Sequence, residues 1–397
     1  MRTSTLRAAA IAATAATVLL TTTQASASPE ATSRPDAGSV AHGGQEPKLP
    51  RHIDGGAWPT SHVQGAAIDR RRGIVYWSFT QMLVKTDLEG NVLGTVTGLT
   101  GHLGDLDINP KDGRIYGSLE YKAEKAFYIA VFDGDAIDRV GMDAEADGVM
   151  TTVYLPEVVE DFTADMDGNG VFDGDVAATP DHRYGSSGID GVAFGPADGK
   201  RHGKGKQVLR VAYGVYANNE RIDNDNQVLL EYDVSGWRRY ERPLEQSAPH
   251  HNGPREVRNK FFVHTGNTRY GVQNLEYDEA SRHWFLAVYQ GTKPSFPNYS
   301  LFVVDGDRAP YEQVVRGQAA PELGDHLSLL PQGQYDPVSS TFGWTFDASY
   351  GLVSVGGGYF YGASGRRVVE NGTALQTGAL DLYRWTGKAP TPFEKVE

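Results

Sequence analysis

Short runs in which apolar and polar side chains alternate with a period of two recur along this chain from residue 62 to its end. Five of them pass from an apolar strand into an Asp or Arg turn that closes on Gly: 82–90 (MLVKTDLEG), 127–135 (FYIAVFDGD), 228–236 (VLLEYDVSG), 300–307 (SLFVVDGD) and 379–387 (ALDLYRWTG). Alternation of β-branched and aromatic residues at that period predicts strands rather than helices. No long helical stripe interrupts it.

A second pair of strands precedes most of these runs. Its first members are 62–69 (HVQGAAID), 102–109 (HLGDLDIN), 188–195 (GIDGVAFG), 271–278 (GVQNLEYD) and, more weakly, 349–356 (SYGLVSVG). Polar turns lead from these into 74–79 (IVYWSF), 114–121 (RIYGSLEY), 208–216 (VLRVAYGVY), 283–291 (HWFLAVYQG) and 358–364 (GYFYGAS). The whole pattern repeats at roughly 40 to 100 residues, the spacing of the blades of a β-propeller. The expectation is an all-β, five-bladed propeller with four antiparallel strands per blade. Six blades is the competitor, should 136–187 hold another.

A propeller opens its blade-to-blade loops and its second-to-third-strand loops on one face, and rigid scaffolds concentrate binding residues on such loops. The linking segments 155–187, 245–270 and 308–348 are long and carry Asp181, His182, His250, His251, Asn252, His264, Arg269, Asp325 and His326. The polar starts of inner strands join them: His62, His102, Asp105, Asp190 and Asn274. So do the ends of second strands: Glu120, Tyr121, Tyr216, Asn218, Tyr289 and Gln290. Polarity alone would account for any single member; the set is what points to a site.

The termini and the charge limit the partners. Arg2 and Arg7, an apolar stretch from Ala8 to Leu20 and the small-residue triplet Ala25-Ser26-Ala27 predict a secretory signal peptide over 1–27, cleaved after Ala27. Residues 28–50 read as a disordered leader, and 51–397 as the single propeller domain, with an insertion at about 155–187. Loss of Arg2 and Arg7 takes the net charge from −13 to −15. That acidity argues against nucleic acid and anionic membranes. The apolar stretch is too short to span a bilayer. With no Cys, disulfides, thiolate metal sites and Cys nucleophiles are excluded. The expected partner is an extracellular small molecule or glycan, met by a monomer.

One segment has metal-ligand spacing. Asp165, Asp167 and Asn169 fall at positions one, three and five of a loop whose sharp turn is Gly170. Val171 offers a carbonyl, and Asp173 sits at position nine. Calcium takes six to eight hard oxygens arranged this way. Val176 replaces the usual bidentate Glu at position twelve, so Asp175, Glu160 or Asp161 must complete the shell. This segment resembles the shortened calcium loops of dockerin-like and other extracellular bacterial repeats, which implies structural calcium.

For chemistry, the inner-strand starts His62, His102, Asp105, Asp190 and Asn274 converge on the central channel, where a second divalent metal or a sugar ring would fit. In this the chain resembles secreted calcium propellers that hydrolyse lactones and phosphoesters, and more generally secreted bacterial β-propellers. Propeller-type polysaccharide lyases use a His/Tyr pair with a neutralising Arg; His102, His264, Tyr121, Tyr213, Tyr216, Tyr289 and Arg269 are the parts available. Two carboxylates about a glycosidic bond make a glycosidase, with Asp105, Glu120 and Asp190 the natural choices. His62-Val63-Gln64-Gly65 resembles the opening of the first blade of five-bladed glutaminyl cyclases, although the acidic element of their second blade does not align. Sequence patterns for a serine elbow, a zincin helix, a Walker loop or a dinucleotide fingerprint are absent. Gly356-Gly357-Gly358 and Arg70-Arg71-Arg72 read as turns, and His202 as part of an exposed basic turn. The leading expectation is a secreted hydrolase or lyase acting on carbohydrate. A metal-dependent phosphoesterase or lactonase, and a non-catalytic binding propeller, are the alternatives.

Overall fold

The computed structural model describes residues 47–197 and 206–397. The signal-peptide and most of the leader expectation (1–46), and His202, lie outside the described residues. Five sheets, antiparallel except for two edge pairs, make five blades. Their inner strands are Val63–Asp69, His102–Ile108, Ser186–Pro196, Arg269–Asp278 and Leu352–Gly356, followed by second strands Ile74–Phe79, Ile115–Tyr121, Gln207–Val215, His283–Tyr289 and Tyr359–Ser364. Third strands are Met82–Asp87, Ala126–Phe132, Asn226–Tyr232, Leu301–Val304 and Thr373–Trp385. Each falls where the period-two pattern and its Gly-closed turns predict.

The ring closes on its own chain ends. His52–Trp58 is the outer strand of the fifth blade and pairs antiparallel with Thr373–Trp385, His52 opposite Asp381. Leu49, expected in the leader, packs against the core here, and the Tyr361 hydroxyl donates to the Pro50 carbonyl. Burial follows the same geometry. Five apolar clusters each fill one gap between neighbouring blades. Trp77, Trp284 and Trp344 are fully buried within them, as expected where large aromatic rings supply most of the buried area.

The fourth position of the blades is less regular than four strands each. Residues 136–187 hold no sixth blade: they contain a short edge strand Met142–Asp143 parallel to Val92–Thr97, the outer strand Met150–Tyr154 of blade two, and helix Pro156–Phe162. The outer strand of blade three is Asn259–His264, so 233–258 connects third to fourth strand rather than blade to blade. That excursion runs along the outer edge of blade two, where Thr152 bridges Arg242. Blade four has three ladder strands; its outer position is filled by single bridges from Leu329 and Trp344. Before reaching Leu329 the chain lays the hairpin Tyr311–Val314 and Leu323–His326 on the edge of blade three. Among the described residues no helix is long and apolar enough to cross a membrane.

Candidate active site

In an antiparallel ladder the start of one strand lies beside the end of the next, which brings His102 opposite Glu120 and Arg269 opposite Tyr289. Close to these starts the inner strands of blades one to four carry register shifts. Such bulges re-aim side chains and are common beside active sites. The result is a cavity of about 1020 Å³ on one face of the ring. Of the expected residues, His62, His102, Glu120, Tyr121, Asp190, Arg269, Tyr289 and Gln290 line it. Gln64, Lys122, Gln246, Tyr270, Gln273 and Tyr350 line it as well, and the sequence reading singled out none of them for the site. Gln246 comes from the excursion along blade two and accepts the Tyr121 hydroxyl at 2.8 Å. No local pattern around Gln246 foretells that contact.

Gln64 organises the floor. Its side-chain nitrogen lies 3.1 Å from His62 Nε2, 3.0 Å from His102 Nε2 and 3.0 Å from Thr80 Oγ1. The Thr80 hydroxyl hydrogen goes to the His62 carbonyl, which can only accept, so Thr80 Oγ1 receives from Gln64. With one N–H on Thr80 the amide has one left, which goes to His102 Nε2, the nearer of the two imidazole nitrogens. His102 therefore accepts at Nε2 and, when neutral, carries its proton on Nδ1. On His102 that proton faces Glu120 Oε2 at 3.8 Å and Asp190 Oδ1 at 3.7 Å. Both distances exceed hydrogen-bond length, and His102 Nδ1 has no partner.

Both carboxyls are held by neighbours. Glu120 Oε1 accepts the Ile189 N–H at 2.5 Å. It reaches that far because residue 188 is Gly: with φ of +117°, a Cβ there would come within 2.0 Å of the same oxygen. Asp190 Oδ2 accepts from Gln273 Nε2 at 2.8 Å, and Lys122 Nζ lies 3.5 Å from Glu120 Oε2. Burial pushes Glu120 up to about 7, and Asp175 adds to this against the pull of Lys122 and the Ile189 N–H. Burial and Glu120 hold Asp190 well above the carboxylate range. Burial, then the charge of Lys122, lowers His102 to about 4. A neutral imidazole thus faces two carboxyls that keep protons unusually late.

The remaining expected residues lie elsewhere. Asp105 is 2% exposed and does not line the cavity. Its Oδ2 accepts Val192 N and Leu275 N, both at 3.0 Å, and Oδ1 accepts Leu106 N at 2.9 Å. It ties the inner strands of blades two, three and four beneath the floor. Asn274 does the same for blades four, one and five, donating to the Gln64 and Ser349 carbonyls. Tyr216 donates to the Asp175 carboxylate and Asn218 to the Ala177 carbonyl, so both hold the 165–181 segment. His264 lines a different cavity.

In the calcium-type loop, Asp165, Asp167 and Asp181 bring carboxylate oxygens within 4.8 Å of one another. The buried Asp181, which the loop pattern does not include, joins this cluster and accepts the Met166 N–H. Asn169 and Val171 are exposed on the turn, and Asp173 donates its N–H to Asp181. Asp175 leaves the cluster for Tyr216 and for Lys122, 3.9 Å away. The loop is thereby coupled to the wall of the active-site cavity.

No protein-family model and no curated protein matches the chain. Among solved structures it is similar to Kuenenia stuttgartiensis hydrazine synthase (12% identity over 75% of this chain, TM-score 0.35), of which it spans only 60%. It is also similar to the Dos1 propeller (12%, 84% of this chain and 70% of that one, TM-score 0.31). A third likeness is the PQQ domain of pyranose dehydrogenase from Coprinopsis cinerea (12%, 85% and 98%, TM-score 0.32). These likenesses are of fold alone.

Proposed function

We propose that this propeller is an extracellular enzyme that cleaves carbohydrate by acid–base catalysis in the cavity above Gln64, with hydrolysis of a glycosidic bond as its reaction. The observation that carries this reading is the neutral His102 facing Glu120 and Asp190, two buried carboxyls with raised proton affinity. When one of two interacting carboxyls ionises it raises the other, so a single proton is retained between them near neutral pH. One carboxyl then protonates the leaving oxygen while the other activates water. Tyr121, Tyr289 and Tyr350 offer faces for sugar rings, and Gln64 and Gln273 offer amides to hydroxyls. Placement outside the cell rests on the residue pattern of 1–27.

The test is incubation with a panel of polysaccharides and chromogenic glycosides, recording product mass. Water added to the products supports hydrolysis, and Glu120→Gln is expected to lower kcat by about a hundredfold or more. Full turnover by Glu120→Gln and Asp190→Asn sinks the reading; saturable binding without product makes the chain a binding propeller instead. One observation favours β-elimination as the second reading: the Tyr289 hydroxyl is 3.5 Å from His62 Nε2, with Arg269 in the same wall to neutralise a uronate. Its product is unsaturated and absorbs in the ultraviolet.

Calcium belongs to this proposal as a structural ion at Asp165, Asp167 and Asp181, whose hard oxygens suit it. Through Asp175 it would steady Lys122 and Tyr216.

A further inference from the structure

Where the hairpin Tyr311–Val314 and Leu323–His326 covers the edge of blade three, it roofs a second cavity of about 240 Å³. This cavity shares no lining residue with the active-site cavity. Its polar wall includes Asn226, His264, Tyr311, Arg316 and His326. Asn226 is 1% exposed, yet its side-chain NH₂ has no hydrogen-bond partner. Neither ring nitrogen of His264 reaches hydrogen-bond geometry, although the Asp225 backbone interacts with the ring. Buried polar groups in native proteins find partners, so unpartnered ones gathered about a roomy polar cavity call for an occupant.

The sign of the charge says which kind. The chain has 50 acidic and 37 basic residues, yet no Asp or Glu lines this cavity. Glu312 and Asp325 belong to the same hairpin without lining it. Arg316 is exposed at the mouth and makes no ion pair among the described residues. Lys293 stands near His264 but is paired with Asp225. Unused donors on Asn226 and Arg316, beside two imidazoles and without a carboxylate, suit an acceptor-only ligand.

We propose that this cavity binds a small oxyanion of phosphate or sulfate size, held by Arg316 at the mouth and the Asn226 amide within. Calorimetric titration of the full chain with inorganic phosphate and with sulfate, at constant ionic strength set by chloride, tests it. Saturable binding of one equivalent is expected. Arg316→Gln, an exposed change that leaves the core intact, is expected to weaken it by about tenfold or more. Asn226→Asp, which nearly preserves shape while adding an acid, is expected to abolish it while thermal melting confirms the fold. Absence of saturable binding shows that the cavity holds water only and overturns the proposal. So does equal affinity in both variants, or loss of binding in Arg269→Gln, which places the anion in the active-site cavity.

Discussion

Gln64 sets its side-chain nitrogen 3.0 Å from His102 Nε2 and thereby fixes the imidazole proton on Nδ1, toward Glu120 and Asp190. The two residues come from inner strands of adjacent blades, so the tautomer of the imidazole that faces the two candidate catalytic carboxyls depends on closure of the ring at that point.

Replacing Gln64 by Glu tests that dependence. A carboxylate can only accept, so His102 must present Nε2–H to it and turn a bare Nδ1 toward the two carboxyls. The ¹⁵N chemical shifts of His102 are expected to exchange their protonated and unprotonated assignments, and turnover to fall by about two orders of magnitude. An unchanged tautomer contradicts the assigned amide orientation.

Asp105 is expected to matter for stability and not for binding. Asp105→Ala leaves three buried backbone N–H groups without an acceptor, each costing about 1–3 kcal/mol. Urea unfolding should show a loss of about 3 kcal/mol or more. A loss below about 1 kcal/mol would mean that the inner strands do not rely on this tie.

The buried carboxyls also set how stability depends on pH. Glu120 and Asp107 are raised to about 7, and Asp190, Asp105 and Glu276 well above their ordinary values, in each case chiefly by burial. Between the ordinary carboxylate range and about 7 the native state holds protons that the unfolded chain has released. Their contribution is complete at low pH and is lost as pH rises. His102 and His264, lowered to about 4, act the other way, and their contribution is lost as pH falls from 6.5 toward 4. Above 6.5 only the carboxyls remain, so unfolding free energy is expected to decline as pH rises from 6.5 through 7. Glu120→Gln should flatten that decline. A rise in stability over the same range would refute the assignment.

Calcium is expected to raise the melting temperature, by an amount corresponding to about 2.7 kcal/mol at one hundred times its Kd. Asp181→Asn should remove most of that increment, and chelation should return the wild-type protein to the ion-free value. If Asp181→Asn keeps the whole increment, the ion binds elsewhere.

Strand positions and blade count were legible because they depend on local rules. Period-two alternation ended by Gly-closed turns located the inner, second and third strands, and ladder geometry carried His102 to Glu120 and Arg269 to Tyr289. Outer strands were not legible, since 233–258 and 308–348 carry weak alternation and take their course from the neighbouring blade's edge. Asp105 illustrates the same limit at one residue. It sits three positions after His102, but the register shift between Leu103 and Leu106 sends its carboxylate under the floor to Val192 and Leu275.

By itself, then, the sequence determined that the chain is a ring of five strand repeats with polar residues gathered at the starts of its inner strands. Alternation and turn chemistry are properties of neighbours along the chain, so they can be read there. Only the tertiary structure decided which of those polar residues face the cavity, which tie the inner strands, and that Gln64 and Gln246 join the cavity and Asp181 the acidic cluster. Those outcomes depend on bulges, blade contacts and burial that join residues tens to hundreds of positions apart.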